Sequence, residues 1–202
     1  MRLRYLLDFL FPPRADEKAV RDLSPDEFVA LVSPRLVPET RPGTVILLSF
    51  GDARVRAAIH EAKYHGSAHA FELLAAALAE YLRDADDVGH RKSYIIPVPL
   101  GKMRRKERGF NQVEEIAKRL GGATVDATLL ERTRETVSQV SLQREKREEN
   151  MRGAFGAAHP ADPACTYILI DDVITTGATL QAAIDALQKA GATHIIPLAL
   201  AH

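Results

Sequence analysis

The residues with the clearest potential for chemistry are two adjacent carboxylates, Asp171 and Asp172, which follow the apolar run Tyr167–Ile170. The turn after them contains Thr175, Thr176, Gly177, Ala178 and Thr179. An amphipathic helical pattern begins directly after this turn. Because a helix N-terminus offers backbone N–H groups and the positive end of its dipole, the turn suits a phosphate group. Gly177 would permit the close approach of the anion.

The two carboxylates restrict which phosphate ligand fits. A negative charge about 8 Å from a phosphate costs about 2 kcal/mol at an effective dielectric of about 20. Hydrogen bonds from a sugar diol, or a shared divalent cation, would offset that cost. A ribose 5-phosphate brings hydroxyls to the acids and a phosphate to the turn. The ordered string favours such a ligand over the alternative, in which the acids only end a strand and the threonines only cap a helix.

A second group of charges follows the apolar stretch Tyr94–Pro99. The residues 102–108 include five cations, Lys102, Arg104, Arg105, Lys106 and Arg108. A basic loop after a strand can hold pyrophosphate, whereas a solvated basic turn or a nucleic-acid patch is the alternative. The residues expected at such a pyrophosphate site are Val98, Pro99, Leu100, Gly101, Lys102, Arg104 and Arg108.

Strand and helix patterns alternate around these residues. Short apolar runs predict buried strands at Thr44–Leu48, Tyr94–Val98, Thr124–Ala127, Tyr167–Ile170 and Ile195–Leu200. Apolar residues at helical spacing lie between them. This alternation predicts an α/β fold with a mostly parallel central sheet flanked by helices. In such sheets ligands bind beyond the carboxyl ends of the strands, where the acids and the cations both lie.

Composition and charge limit the other possibilities. The chain has 202 residues, of which 46% are hydrophobic, and its 27 basic residues balance its 27 acidic ones, so net charge gives no attraction to nucleic acid or acidic membranes. Cys165 is the single cysteine, which excludes a disulfide framework or a multi-cysteine zinc site within the chain. The apolar run at Leu3–Phe11 is far shorter than the roughly 20 residues of a membrane span. We expect a cytoplasmic protein.

The chain divides into two parts by composition. Residues 1–43 are rich in proline and charge and predict an N-terminal helical appendage, while residues 44–202 form the α/β domain. Within the appendage, Ser24, Pro25 and Glu27 are typical of a helix start, with a short helix to about Leu31.

The string Tyr167–Leu180 resembles the motif with which type I phosphoribosyltransferases bind 5-phosphoribosyl 1-pyrophosphate, PRPP: an apolar strand, two acids, then T-T-G-x-T. The resemblance implies that Asp171 and Asp172 contact the ribose hydroxyls, act in catalysis and hold Mg²⁺ indirectly, through the ligand or water. It also implies that Thr175–Thr179 hold the 5-phosphate.

Other segments are similar to the ComF-type, competence-protein-like branch of that family. They are Leu6–Pro13, His60–Gly66, Arg108–Gln112 and Arg132–Phe155. Members of that branch usually carry a cysteine directly after the L-F-P-P opening, within a zinc-binding segment. Arg14 stands there in this chain, so we expect no structural zinc.

Three further features of the sequence could belong to a functional site. Lys63 and Tyr64 precede a glycine and could reach the pyrophosphate or close over the site. Type I enzymes typically have a mobile loop over the site, and residues 131–152, with Arg144 or Arg147 turned inward, are a candidate for it; a solvated polar face is the alternative. His65 and His69 have a chelating spacing, but Gly66 interrupts the helix and we expect no metal there.

The predicted function is therefore binding of PRPP with Mg²⁺ and transfer of ribose 5-phosphate to a nitrogen nucleophile, with release of pyrophosphate. The nucleophile is left open among purines, pyrimidines and amines or ammonia, and a homodimer is one option for the assembly. Two alternatives stand beside this prediction. One is a sensor of PRPP or a nucleotide without turnover, and the other is an accessory protein of DNA uptake that binds single-stranded DNA, which the neutral charge disfavours.

Overall fold

The computed structural model describes residues 14–84, 91–134 and 149–202, and the elements named here lie in these ranges. The helices are α1 (Ala15–Arg21), α2 (Pro25–Val29), α3 (Ala53–His65), α4 (Ala68–Asp84), α5 (Lys102–Arg108), α6 (Gln112–Ala117) and α7 (Ala178–Lys189). The strands are β1 (Arg35–Val37), β2 (Thr44–Leu48), β3 (Ser93–Pro97), β4 (Thr124–Val125), β5 (Leu130–Arg132), β6 (Phe155–Ala157), β7 (Thr166–Val173) and β8 (His194–Ala201). Every predicted strand has an observed counterpart.

The central sheet has six strands in the order β1-β2-β8-β7-β3-β4. Only β1 is antiparallel to its neighbour, whereas the other pairs are parallel. The predicted mostly parallel sheet flanked by helices is therefore confirmed. The strands β5 and β6 form a separate antiparallel pair.

The strand β7 is longer than the sequence indicates. Its apolar part, Tyr167–Ile170, was expected to end before the acids, but pairing with β8 continues to Val173. Asp171 pairs with Ala199 and Val173 with Ala201. Backbone pairing does not depend on the type of side chain, so the two acids lie near the end of β7 rather than in a loop. Consecutive side chains of a strand point to opposite faces, and the two acids do as well.

Two apolar clusters cover the two faces of the sheet. One cluster packs α3, α4 and α6 against Ile168 and Ile170 of β7. The other packs α7 and the β5–β6 pair against Tyr167 and Leu169. The alternation of β7 assigns Asp172 to the first face and Asp171 to the second.

The N-terminal helices pack directly on the first face. Val20 of α1 and Phe28 of α2 are buried in the same cluster as α3 and α4. The predicted start of α2 is confirmed, because the Ser24 hydroxyl accepts from the N–H of Glu27, whose carboxylate accepts from the N–H of Ser24. Arg14 donates to both carboxylate oxygens of the buried Glu61 at 3.2 and 2.9 Å. The division of the chain at residue 43 stays a prediction.

The basic segment Lys102–Arg108 is a helix, not the loop that the sequence led us to expect. Its residues, KMRRKER, contain no β-branched side chain, glycine or proline and favour helix. Gly101 precedes it and Gly109, at a φ of 80°, ends it. No helix among the described ranges has the length and apolar character needed to cross a membrane. The Leu3–Phe11 run, Arg144 and Arg147 lie outside the described residues.

Candidate functional site

A cleft of about 380 Å³ opens at the carboxyl ends of β3 and β7. From β3 the chain continues to β4 on one side, and from β7 it continues to β8 on the other. The loops after β3 and β7 therefore diverge, which is the switch point where open parallel sheets bind ligands. The residues lining the cleft are Lys63, Val98, Pro99, Leu100, Arg104, Arg108, Gln112, Val113, Arg132, Asp171, Asp172, Val173, Thr175 and Thr179.

Asp172 is held by several donors on its face of the sheet. The ammonium group of Lys63 lies 3.0 Å from its Oδ2, and Gln112 Nε2 donates to the same oxygen at 2.5 Å. Its Oδ1 accepts from the backbone N–H of Val173 at 2.7 Å. The side chain is only 10% exposed, so these donors replace water and hold the carboxylate in one orientation.

Asp171 faces the other side of the sheet with less support. Its Oδ1 accepts from the backbone N–H of Asp172 at 2.9 Å. Burial among protein atoms and the negative charge of Asp172 raise the pKa of Asp171 to about 7. The positive charges of Lys63 and Arg132 act in the opposite direction and do not offset the rise. A proton is therefore easily gained or lost at this carboxyl near neutral pH.

The turn Thr175–Thr179 lies beside the acids, at the N-terminus of α7. Gly177 precedes the helix with a φ of 75°, which side chains with a Cβ rarely adopt. Thr175 and Thr179 line the cleft, and the whole turn, with Asp171, encloses a hollow of about 30 Å³. Asp171, Asp172, Thr175 and Thr179 thus line one cleft, and their roles in binding stay a prediction.

A segment of the predicted appendage supports this turn from behind. A Cβ on Gly177 would lie 2.6 Å from the carbonyl oxygen of Glu39, so the two backbones are in close contact. The backbone N–H of Arg41 donates to Gln181 Oε1 on α7 at 2.7 Å, and Thr40 is buried beneath. No sequence pattern predicts this contact, because residues 38–41 and 177–181 meet only in the folded chain.

Two of the expected pyrophosphate cations, Arg104 and Arg108, line the cleft from α5 together with Val98, Pro99 and Leu100. Gly101 is buried before the helix, and Lys102 is exposed at its first position. Arg108 lies over the ring of Tyr64 at 5.3 Å from the ring centre. Tyr64 itself is 56% exposed and is not among the residues that line the cleft.

The end of α3, which contains Lys63, packs against the segment that follows Arg108. Gly66, left-handed at the end of α3, lies against the ring of Phe110, where a Cβ would be 3.0 Å from the nearest ring carbon. Asn111 donates to the carbonyl of Val98 at 3.0 Å and accepts from the N–H of Val113 at 3.2 Å. These contacts fix α6 to the end of β3 and so fix the position of Gln112.

The structure adds two polar residues to the predicted site. Gln112 ends the segment Arg108–Gln112, and its position at the first turn of α6 brings its side chain to Asp172. Arg132 belongs to residues 131–152, for which a mobile loop and a solvated polar face are the alternatives. In the structure its guanidinium lies 5.3 Å from the ring centre of Phe155 and 3.7 Å from Met151 Sδ while lining the cleft. No local sequence pattern separates it from the neighbouring exposed arginines.

The histidines of α3 and α4 do not form the chelating pair that their spacing allows. His69 Nε2 lies 2.9 Å from the carbonyl oxygen of Leu23. His60, Glu61 and His65 bring one potential ligand atom each within 4.8 Å of one another. The Glu61 carboxylate, however, already accepts two hydrogen bonds from Arg14. The expected absence of zinc stays a prediction.

The two acids of the cleft are of a chemical type that binds Mg²⁺. Mg²⁺ prefers oxygen ligands and keeps several of its waters, and Asp171 and Asp172 offer oxygens at the cleft. The pKa of Asp171 is raised first by burial and then by the negative charge of Asp172, which the nearby positive charges do not offset. A divalent cation brought with the ligand would supply the missing positive charge.

The parallel sheet, its switch point and the glycine-containing turn beside two acids define a phosphoribosyltransferase-like fold. The chain is 35% identical over 107 residues to Competence protein F of Haemophilus influenzae, covering 50% of this chain and 46% of that one. It is 32% identical over 104 residues to DNA utilization protein YhgH of Escherichia coli, covering 50% of this chain and 45% of the relative.

A third relative extends the similarity along the chain. Competence protein ComFC of Streptococcus pneumoniae is 31% identical over 133 residues, or 66% of this chain and 56% of that protein. The chain thus spans about half the length of the curated relatives it matches. No model of a protein family matches it. These similarities support the ComF-type family that the motifs of the chain indicate.

Proposed function

We propose that this chain binds PRPP with Mg²⁺ and transfers its ribose 5-phosphate to a nitrogen nucleophile. The observation that carries the proposal is that three groups line one cleft: the cations Arg104 and Arg108, the acids Asp171 and Asp172, and the turn that contains Thr175 and Thr179. PRPP has three groups of matching chemistry, a pyrophosphate, a ribose diol and a 5-phosphate. Each would meet the part of the cleft that is complementary to it.

In the proposed reaction the bond from the anomeric carbon to pyrophosphate oxygen breaks, and pyrophosphate leaves with the electron pair. A bond from the nucleophile nitrogen to the same carbon forms, and the nitrogen loses a proton to solvent or to a nearby base. Lys63, Arg104 and Arg108 would stabilise the negative charge that develops on pyrophosphate. Asp171 and Asp172 would orient the ribose hydroxyls and stabilise positive charge at the ring. Asp171 and Asp172 would hold Mg²⁺ through the ligand or water, and the ion would offset the negative charge of pyrophosphate.

Calorimetry with PRPP, with and without Mg²⁺, tests the binding part of the proposal. We expect saturable binding that Mg²⁺ strengthens. A pyrophosphate-release assay over a panel of purines, pyrimidines and amines, including ammonia, tests turnover and would identify the acceptor. Tight PRPP binding without release for any acceptor would favour the sensor instead. A failure to bind PRPP would contradict both.

A second candidate function is handling of DNA. The names of the relatives, competence protein and DNA utilization protein, point to that role for them. In this chain the helix α5 has no buried residue and carries five of its seven residues as cations. Binding of single-stranded DNA that persists at 200 mM salt and is unaffected by PRPP would support this candidate. A cytoplasmic location and a homodimer stay predictions for either function.

A further inference from the structure

Gln112 lies between a cation and an acid of the cleft. Arg108 Nη1 donates to Gln112 Oε1 at 3.0 Å, and Gln112 Nε2 donates to Asp172 Oδ2 at 2.5 Å. A guanidinium can only donate and a carboxylate can only accept, so the orientation of the amide between them is fixed. The three side chains form one chain of hydrogen bonds across the cleft.

The surroundings of Gln112 make this chain rigid. Gln112 is 3% exposed, so water does not replace either of its bonds easily. Asn111 ties the start of α6 to the carbonyl of Val98. A buried amide with both ends bonded to charged groups orients those groups before a ligand arrives, which lowers the cost of binding.

Arg108 differs from most cations of α5 because of this contact. It is half-buried, held by Gln112 on one side and by the Tyr64 ring on the other. Lys102 and Lys106 are exposed on the same helix. Gln112 therefore holds Arg108 at the cleft, which Arg104 of the same helix also lines.

We propose that Gln112 is a positioning residue that couples the pyrophosphate cation, Arg108, to the ribose acid, Asp172, and so favours PRPP over ribose 5-phosphate. The inference rests on the proposed function. A ligand with both a pyrophosphate and a ribose uses both ends of the hydrogen-bonded chain. Ribose 5-phosphate lacks the pyrophosphate and uses only the Asp172 end.

The test compares the affinities of PRPP and ribose 5-phosphate, both with Mg²⁺, by calorimetry on the full chain. Gln112→Ala should weaken PRPP binding about 10- to 100-fold, since a bond to each of two charged groups is lost. It should weaken ribose 5-phosphate binding only about 3-fold, through Asp172 alone. The preference for PRPP should therefore fall.

Gln112→Glu separates the two ends and conserves the side-chain shape. It keeps an acceptor for Arg108 but sets a second negative charge against Asp172, so both ligands should weaken together and the preference for PRPP should remain. Gln188→Ala is the matched control, because it removes the same side chain from an exposed position on α7. That variant should bind both ligands like the wild type.

The outcomes that contradict the inference are distinct. If Gln112→Ala weakens both ligands equally, or neither, with an unchanged circular dichroism spectrum, Gln112 is only a structural residue. Gln112 is also only a structural residue if Gln112→Ala and Gln112→Glu show the same preference for PRPP over ribose 5-phosphate. If Gln112→Ala does not fold, the Gln112→Glu measurement decides alone, since a lowered preference there overturns the coupling. A wild-type chain that binds neither ligand would overturn the proposed function and this inference with it.

Discussion

Asp171 and Asp172 are neighbours in the chain, but the two faces of the sheet give them different surroundings. On its face, Asp172 accepts hydrogen bonds from Gln112 and Val173 and pairs with Lys63. On the opposite face, Asp171 lies near Arg132 with a pKa raised to about 7. Asp172 is oriented by its neighbours before any ligand binds, whereas Asp171 is buried beside a like charge that nearby cations do not offset.

The different surroundings of Asp171 and Asp172 indicate that the two faces of the site have different roles. The Asp172 face is built from two packed motifs, which hold it rigid through Gly66, Phe110 and Asn111. The Asp171 face is formed by the turn before α7, with a backbone segment packed behind it. A cation that binds together with the ligand would stabilise the Asp171 face more than the Asp172 face, because negative charge is less compensated near Asp171.

The largest expected effect comes from removing both acids. Asp171→Asn with Asp172→Asn should weaken PRPP binding by at least about 100-fold, since the charged acceptors for the ribose hydroxyls are lost. Calorimetry measures the affinity, and circular dichroism should show an unchanged fold. Among the single variants we expect Asp172→Asn to be the more damaging, because it also releases Lys63. The reverse order would contradict the division between the faces.

The turn on the Asp171 face can be tested without touching a charge. Gly177→Ala puts a methyl group against the backbone of Glu39, so we expect the turn to move and the affinity for ribose 5-phosphate to fall about 10-fold, an effect of roughly 1.4 kcal/mol. Gly122→Ala is the matched control, because Gly122 has a φ of 80° and no atom within 4 Å of the added Cβ. It should cost about 1 to 2 kcal/mol of stability through backbone strain alone. Equal affinities in the two variants would show that the contact with Glu39 does not support the turn.

The smallest effect concerns stability and needs no ligand. Because the folded pKa of Asp171 is about 7, above its ordinary value of 3.8, the folded chain binds a proton more tightly than the unfolded chain. The stability from this proton is present below pH 3.8 and is lost as the pH rises through about 7.

Asp171→Asn removes the charge that forms in the folded chain at high pH. It should raise the stability by about 1 to 2 kcal/mol at pH 8, or roughly 2 to 8 °C in melting temperature, and by much less at pH 5. Thermal unfolding at the two pH values measures the difference. An equal gain at both would mean that Asp171 is not the group that titrates.

Much of the fold and part of the site could be predicted from local sequence. Apolar runs such as Thr44–Leu48 matched strands because short buried strands require continuous apolar residues. The string from Asp171 to Thr179 identified the acids and the turn, since chain neighbours after a strand stay neighbours in space. The end of β7 was wrong by three residues, because pairing with β8 depends on backbone contacts that side-chain type does not record.

What the sequence by itself determined is therefore local: which segments form strands, which turn follows the acids, and where the cations cluster. Only the tertiary structure decided which of those cations reach the cleft, that Gln112 and Arg132 join them, and that residues 38–41 support the turn before α7. The physical reason is distance along the chain. Arg108 and Tyr64, or Gly177 and Glu39, are brought together by sheet order and helix packing, which arise from the whole apolar core rather than from any one motif.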